Sequence, residues 1–293
     1  MDGDLNMDGW GDEEVVKPKQ APVPTPVNPT LVRKGLVVLL YGDTGSGKTY
    51  TSMSFPEPIF ILDTESRCDI VKKYNFPGKS ITIKTPVELK DEFDSKDVDI
   101  LDTHKTIENI TEEIIQYANK LKSGEIKGGT FILDSVTDIW TFVQDWGIHE
   151  LAKYSDSKGN PKANVMLMRV NNQVDWRLIN KKYAEIVGLL RLLALKHGVN
   201  VVLTARNQSP PDYISNREGS EMKDRVRAQK DTPFYVDFIF RLKPPMEIQG
   251  KMHRVAICEK LGGLEFTNGT IENLTYDKIM EMIKNGETAL SKR

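Results

Sequence analysis

Residues 42–49, GDTGSGKT, match the spacing G-x-x-x-x-G-K-[ST]. The glycines let successive backbone N–H groups turn toward one point, and a lysine and a hydroxyl follow directly. Residues of these types at this spacing hold phosphates. The loop donors and the start of the next helix attract an anion, Lys48 reaches the β and γ phosphates, and the Thr49 hydroxyl binds Mg²⁺. Gly42, Asp43, Thr44, Gly45, Ser46, Gly47, Lys48, Thr49 and Tyr50 are therefore the candidate site for ATP with Mg²⁺.

Such a loop must be delivered by a strand and continued by a helix. The preceding run LVVLLY is short, apolar and β-branched, as expected of a strand buried on both faces of a parallel sheet. A short helix is expected from about Gly47 to Ser54, stopped by Pro56 and Pro58. PIFILDTE, GGTFILDS and VNVVLTAR are three more buried strands. Residues 80–105 are mixed and charged, a weak strand with an irregular connection. Helices are expected over 106–122, 138–153 and 176–197, the last stopped by Gly198, with the polar stretch YSDSKGNPKAN before it. YVDFIFRLK and KMHRVAICEK suggest a closing antiparallel pair. A last helix is expected over Tyr276–Lys284, with Thr275 as N-cap and Gly286 beyond its end. Buried strands alternating with helices, then strands alone, imply an α/β domain with a mostly parallel central sheet.

A magnesium site needs an acid at the end of a neighbouring strand. Asp134 closes TFILD and is the candidate, acting through water; the competing role is N-cap of the helix from Val136. Ser135 follows it, which excludes the simplest AAA+ and genome-packaging arrangement, where a glutamate in that place positions water. The base must come from elsewhere. Glu65 ends the second buried strand and is expected at the same sheet edge. Asp63 competes with it, and Glu65 could instead cap a helix through Asp69 and Val71.

The loop, then ILDTE, FILDS, VVLTAR and a closing pair ending in AICEK resemble the RecA/RadA/KaiC superfamily of P-loop ATPases. Within it the chain looks most like the short RecA-like ATPases, some of single-strand-annealing type, of phages and archaeal viruses. The resemblance spans about residues 35–285. It implies that Glu65 is the catalytic base and Asp134 the magnesium aspartate. It also implies a γ-phosphate sensor on the strand VVLTAR, with Thr204 and Arg206 as candidates, since the Asn-Gln pair is displaced to Asn207 and Gln208. Family sites lie between subunits and are completed by a basic residue of the neighbour, for which Lys260 is the match and Arg254 the reserve. A lysine charged only for solubility at a strand end is the other reading of Lys260.

The same resemblance places DNA-binding loops at residues 153–173 and 207–232. Lys158 and Lys162 lie in the first. Tyr213, Arg217, Lys223, Arg225, Arg227 and Lys230 lie in the second, with Tyr213 available for stacking on a base. Acids Asp212, Glu218, Glu221 and Asp224 interleave these bases, so KDRVRAQK (223–230) is the better patch.

Composition bounds the rest. A chain of 293 residues with 39% hydrophobic and 28% charged residues can bury one substantial core. A net charge of -2 confines any nucleic-acid surface to a local patch. Two distant cysteines and four scattered histidines give neither a disulfide framework nor a zinc pattern. An acidic start and no long apolar stretch point to a cytoplasmic protein, in the host cytoplasm if viral, with no membrane partner. Residues 1–34 form an acidic, then proline-rich, arm expected to be disordered; Trp10 could anchor a protein partner, though a solubilising leader is the plainer reading. The expected domain is 35–293.

Three function classes follow. The first is an ATPase on single-stranded DNA in recombination, repair or replication, self-associated as a ring or filament and stimulated by the DNA. The second is a P-loop switch or assembly ATPase without DNA. The third is a P-loop kinase, which would need an arginine-rich lid that only KDRVRAQK could supply.

Overall fold

The computed structural model describes residues 35–90, 100–208, 225–248, 250–263 and 269–291. The acidic arm lies outside them, as do Tyr213, Arg217 and Lys223.

The continuous apolar runs become the centre of one sheet. β1 (Val37–Gly42), β2 (Ile59–Asp63), β4 (Thr130–Asp134) and β7 (Asn200–Gln208) are joined by β3 (Ile81–Lys84) and β9 (Phe238–Leu242). These six run parallel in the order β9-β1-β7-β4-β2-β3. β12 (Val255–Leu261) adds antiparallel to β9, and β13 (Thr270–Glu272) antiparallel to β12. β8 (Arg225–Val226) pairs antiparallel with the end of β7. This is the mostly parallel α/β sheet with closing antiparallel strands expected from the sequence.

Alternate residues of each central strand feed opposite cores, because successive side chains of a strand point to opposite faces. Val37, Leu39 and Tyr41 pack with α3 (Thr103–Ser123), α4 (Val136–Ala152) and α5 (Trp176–His197). Val38 and Leu40 pack on the other face with Met53 and Phe55, Cys68 of α2 (Cys68–Asn75) and Ile279 of the last helix. Burying a side chain of this size is worth about 1.5–3 kcal/mol. Two apolar faces are thus what make the strands central.

Several boundaries differ from expectation. α3 starts at Thr103 because the Asp102 carboxylate accepts a hydrogen bond from the Lys105 N–H, and α4 starts at Val136 with Ser135 as its cap. The last helix, Tyr276–Ser291, runs through Gly286. A helical glycine costs only about 1 kcal/mol, and Met282 and Ile283 pack against the core on the turn before it. The polar stretch after α4 leads into a small hairpin, β5 (Ala163–Asn164) with β6 (Arg169–Val170). The closing pair carries an inserted hairpin of its own, β10 (Met246–Ile248) with β11 (Lys251–His253).

Candidate nucleotide site

Register sets the levels of the site. Asp63 pairs with Asp134, Leu133 with Leu203, and Gly42 with both Arg206 and Leu242. The strand ends that carry chemistry therefore meet at one sheet edge. The phosphate loop leaves β1 there and enters α1 (Lys48–Ser52). Gly47 (φ 96°) precedes the helix in the left-handed region, which a side chain would strain. The first N–H groups of that helix have no intrahelical partner and face the loop.

Lys48 folds over the loop, its Nζ donating to the carbonyls of Gly42 and Asp43 at 2.9 Å each. Burial pushes its pKa below the usual lysine value, against the pull of Asp134, Glu65 and Asp43. That opposition puts the amine near three carboxylates while it stays bonded to the loop.

Asp134 is 5% exposed. Its Oδ2 accepts from Thr49 Oγ1 at 2.7 Å, its Oδ1 accepts from Thr204 Oγ1, and the Cys68 thiol lies 3.5 Å from Oδ2. Burial raises its pKa, although both hydroxyls favour the carboxylate. Ser135 caps α4 by accepting from the Asp138 N–H, so Asp134 is not spent on the helix. The Asp134–Ser135 peptide is cis. A hydroxyl and a carboxylate held together suit a hard cation. Among the described residues no group of three or more His, Cys, Asp or Glu side chains is arranged to hold a metal. Magnesium would fit here with its remaining ligands from phosphate and water.

The two acids of ILDTE separate cleanly. Asp63 is buried, and its oxygens accept from the backbone N–H groups of Glu65, Arg67 and Cys68, at 3.0, 2.9 and 2.8 Å. It is Asp63, not Glu65, that secures the start of α2. The Glu65 carboxylate points away from that helix start, and its Oε1 accepts from Arg206 Nε and Nη2. Arg206 also pairs with Asp138 Oδ1 at 3.0 Å. Partial burial works against the arginine's charge, but Asp138, Glu65 and Asp134 outweigh it and push its pKa up. Of the two sensor candidates, Thr204 is fully buried beneath Asp134, while Arg206 reaches the surface of the site.

Asp138, which the phosphate-site motifs do not single out, also belongs to the site. It binds Arg206, Ser135 Oγ and Thr64 Oγ1, the last at 2.9 Å. The spacing Ser135-x-x-Asp138 is a capping-box pattern and was the available signal.

The remaining candidates lie elsewhere. Lys260 Nζ donates to the carbonyls of Pro233 and Val236, at 2.8 and 2.6 Å. It pairs in register with Ile239, which pairs with Leu39, three residues short of Gly42. In its own subunit it braces a connection below the nucleotide edge. Lys162 pairs with Asp175 at 3.7 Å, and Lys158 sits in a turn built on Asp156. The hairpin that follows them turns through Val165, Met166, Leu167 and Met168, all exposed, so the tip of that segment is apolar, not basic. Arg225 lies on β8, and the Arg227 N–H donates to the Arg206 carbonyl at 2.9 Å. Lys230 is exposed nearby in the chain.

No curated protein matches the sequence. Among solved structures the chain is similar to a KaiC-like protein of the hyperthermophilic archaeon Pyrococcus horikoshii OT3, at 16% identity. The match covers 81% of this chain and 84% of that one, with a TM-score of 0.38. No described helix is long and apolar enough to cross a membrane. The family model described as "AAA domain" matches residues 34–261, most of the chain. With a phosphate loop, an acid pair and a parallel sheet arranged as above, the chain belongs to the AAA domain family of P-loop ATPases.

Proposed function

We propose that the protein hydrolyses ATP as a RecA-like motor on single-stranded DNA, in recombination, repair or replication, with subunits assembled as a ring or filament. The observation that carries the ATPase half is the convergence of Lys48, Thr49, Asp134 and Glu65 at one sheet edge, with Arg206 bonded to Glu65. Lys48 leaves the two loop carbonyls to neutralise the β and γ phosphates. Thr49 and Asp134 would hold Mg²⁺, Asp134 through water, and the ion would supply positive charge to the same phosphates. Glu65 takes the proton of the attacking water as its oxygen bonds to γ-phosphorus and the bond to the β-phosphate oxygen breaks, releasing ADP. Arg206 aligns Glu65.

The DNA half is supported by connectivity. The segment from 207 to 232 begins one residue after Arg206, and its far end returns as β8, with Arg227 bonded to the Arg206 carbonyl. A polymer gripped by Arg225, Arg227 and Lys230 would pull on Arg206 and so on Glu65. This link favours DNA-stimulated turnover over a switch without DNA. Lys260 would complete a neighbour's site only by leaving its two carbonyls, so its part depends on assembly.

Steady-state ATP hydrolysis with and without single-stranded DNA, over a salt series, tests the proposal. Stimulation that fades steeply with salt is expected, because phosphate contacts release counterions. Turnover indifferent to DNA would leave the switch ATPase. Phosphate transfer to a small acceptor would make the protein a kinase.

A further inference from the structure

Arg254 lies between the β10–β11 hairpin and β12, and its place is fixed by backbone. Its carbonyl accepts from the Asn273 N–H at 2.7 Å, and the next carbonyl, of Val255, accepts from the Lys243 N–H. The segment after Asn273 is tied to α1, since Thr51 Oγ1 donates to the Leu274 carbonyl and the Tyr276 N–H donates to Ser54 Oγ. From this anchor the side chain reaches the phosphate loop of its own subunit. A Cβ placed on Gly47 would meet Arg254 Cδ at 3.2 Å and Nε at 3.5 Å. The guanidinium lies 5.1 Å from the centre of the Tyr50 ring, which also rests on Phe76. Among the described residues no carboxylate pairs with it.

Sheet order gives the direction. The phosphate loop leaves β1; Asp134 ends β4 and Glu65 follows β2 on one side, whereas Arg254 precedes β12 on the other. Neighbouring strands stand about 4.8 Å apart, so Arg254 and Asp134 flank the loop at about 10 Å each. A triphosphate whose terminal group meets Asp134 and Glu65 has its sugar end toward Arg254. We propose that Arg254 is a nucleotide-binding residue in cis, gripping the α-phosphate and ribose half of the nucleotide with Tyr50 as its shelf. This replaces the expectation that Arg254 serves a neighbour's γ-phosphate, and it rests on the reading of residues 42–49 as a nucleotide site. ATP and ADP share the gripped half, so Arg254 contributes equally to both and little to the chemical step.

The experiment compares wild type, Arg254→Ala and Arg254→Lys by calorimetric titration with Mg·ATP and Mg·ADP and by steady-state hydrolysis. Arg254→Ala should weaken both nucleotides by about ten-fold, a charge-assisted contact's worth. The KM should rise by the same factor, with kcat within about two-fold. Arg254→Lys keeps the charge without the flat face and should recover part of the affinity. Apo melting temperatures should agree within about two degrees, since a single cation–π contact between half-buried side chains is small. Unchanged ADP affinity in Arg254→Ala overturns the inference, and a fallen kcat beside it returns the residue to a γ-phosphate role. Failure of wild type itself to bind either nucleotide overturns the reading of the loop, and this inference with it.

Discussion

Arg206 Nε and Nη2 both donate to Glu65 Oε1, at 3.1 and 3.0 Å, joining residues 141 positions apart in the chain. The carboxylate proposed as the base is therefore held by the arginine that ends β7, and Asp138 holds the arginine from its other side. Glu65→Gln should keep ATP binding and cut turnover by about 100-fold or more, the usual scale for removing a general base. Arg206→Ala should cut kcat by about 10- to 100-fold, because two carboxylates lose their shared cation and Glu65 loses its orientation. The two residues act through one group, so the double variant should be no slower than Glu65→Gln alone. A rate for the double variant equal to the product of the single effects would sink the coupling.

Asp63 and Glu65 are two residues apart, yet their substitutions should fail differently. Asp63 is buried with three backbone donors on its carboxylate. Asp63→Ala leaves those donors unpaired and should cost about 2–3 kcal/mol, lowering the melting temperature by roughly 5–10 °C in a domain of this size. Glu65 is half-buried and its one ion pair is with the more exposed Arg206, so its loss should cost about 1 kcal/mol. Thermal melts of Asp63→Ala and Glu65→Gln measured together would reveal an error if the two shifts were alike.

Lys48 touches only its own loop: its amine is bonded to the carbonyls of Gly42 and Asp43. Its folded-state pKa is lowered, so below that value, where the amine is charged in both states, holding the charge there costs stability, and the cost is relieved as pH rises through it. Lys48→Ala should thus melt no earlier than wild type without nucleotide, and the stabilisation wild type gains from Mg·ATP should vanish. A melt several degrees lower without ligand would mean that the lysine holds the fold rather than the phosphates.

The parts of this site that could be read from sequence are local. A buried strand, a glycine loop and a helix in succession leave one arrangement, and acids at the ends of apolar runs lie at the edge where the strands end. The Ser135 cap was legible in principle, and with it Asp138. What could not be read depends on which strands become neighbours. Nothing in VVLTAR says that β7 lies between β1 and β4, yet that order is what sets Thr204 under Asp134 and Arg206 over Glu65. Asp63 and Glu65 are alike on paper, and only the path of the chain into α2 spends one of them on backbone. Lys260 and Arg254 both close the chain's last strands, and register alone sends one toward Leu39 and the other to the phosphate loop.

The two cysteines report on whether that edge opens. Cys68 lies under Asp134, and burial with the nearby charges of Asp134 and Asp63 pushes its thiol pKa up; burial pushes Cys258 up to about 11. A thiol attacks as its thiolate, so a raised pKa means less nucleophile at pH 8 than the ordinary value near 8.5 would give. Native protein mixed with an aromatic disulfide reagent at pH 8 should release well under about 0.1 equivalent in minutes, and two equivalents once denatured. Raising the pH from 8 to 9.5 should speed Cys258 steadily, because that window lies below its pKa, while Cys68 should stay slow. Any slow labelling of Cys68 needs α2 to part from β4, so Mg·ATP, by binding across Thr49 and Asp134, should slow it further. Fast native labelling of Cys68, or labelling that Mg·ATP leaves untouched, would show that α2 moves independently of the nucleotide edge.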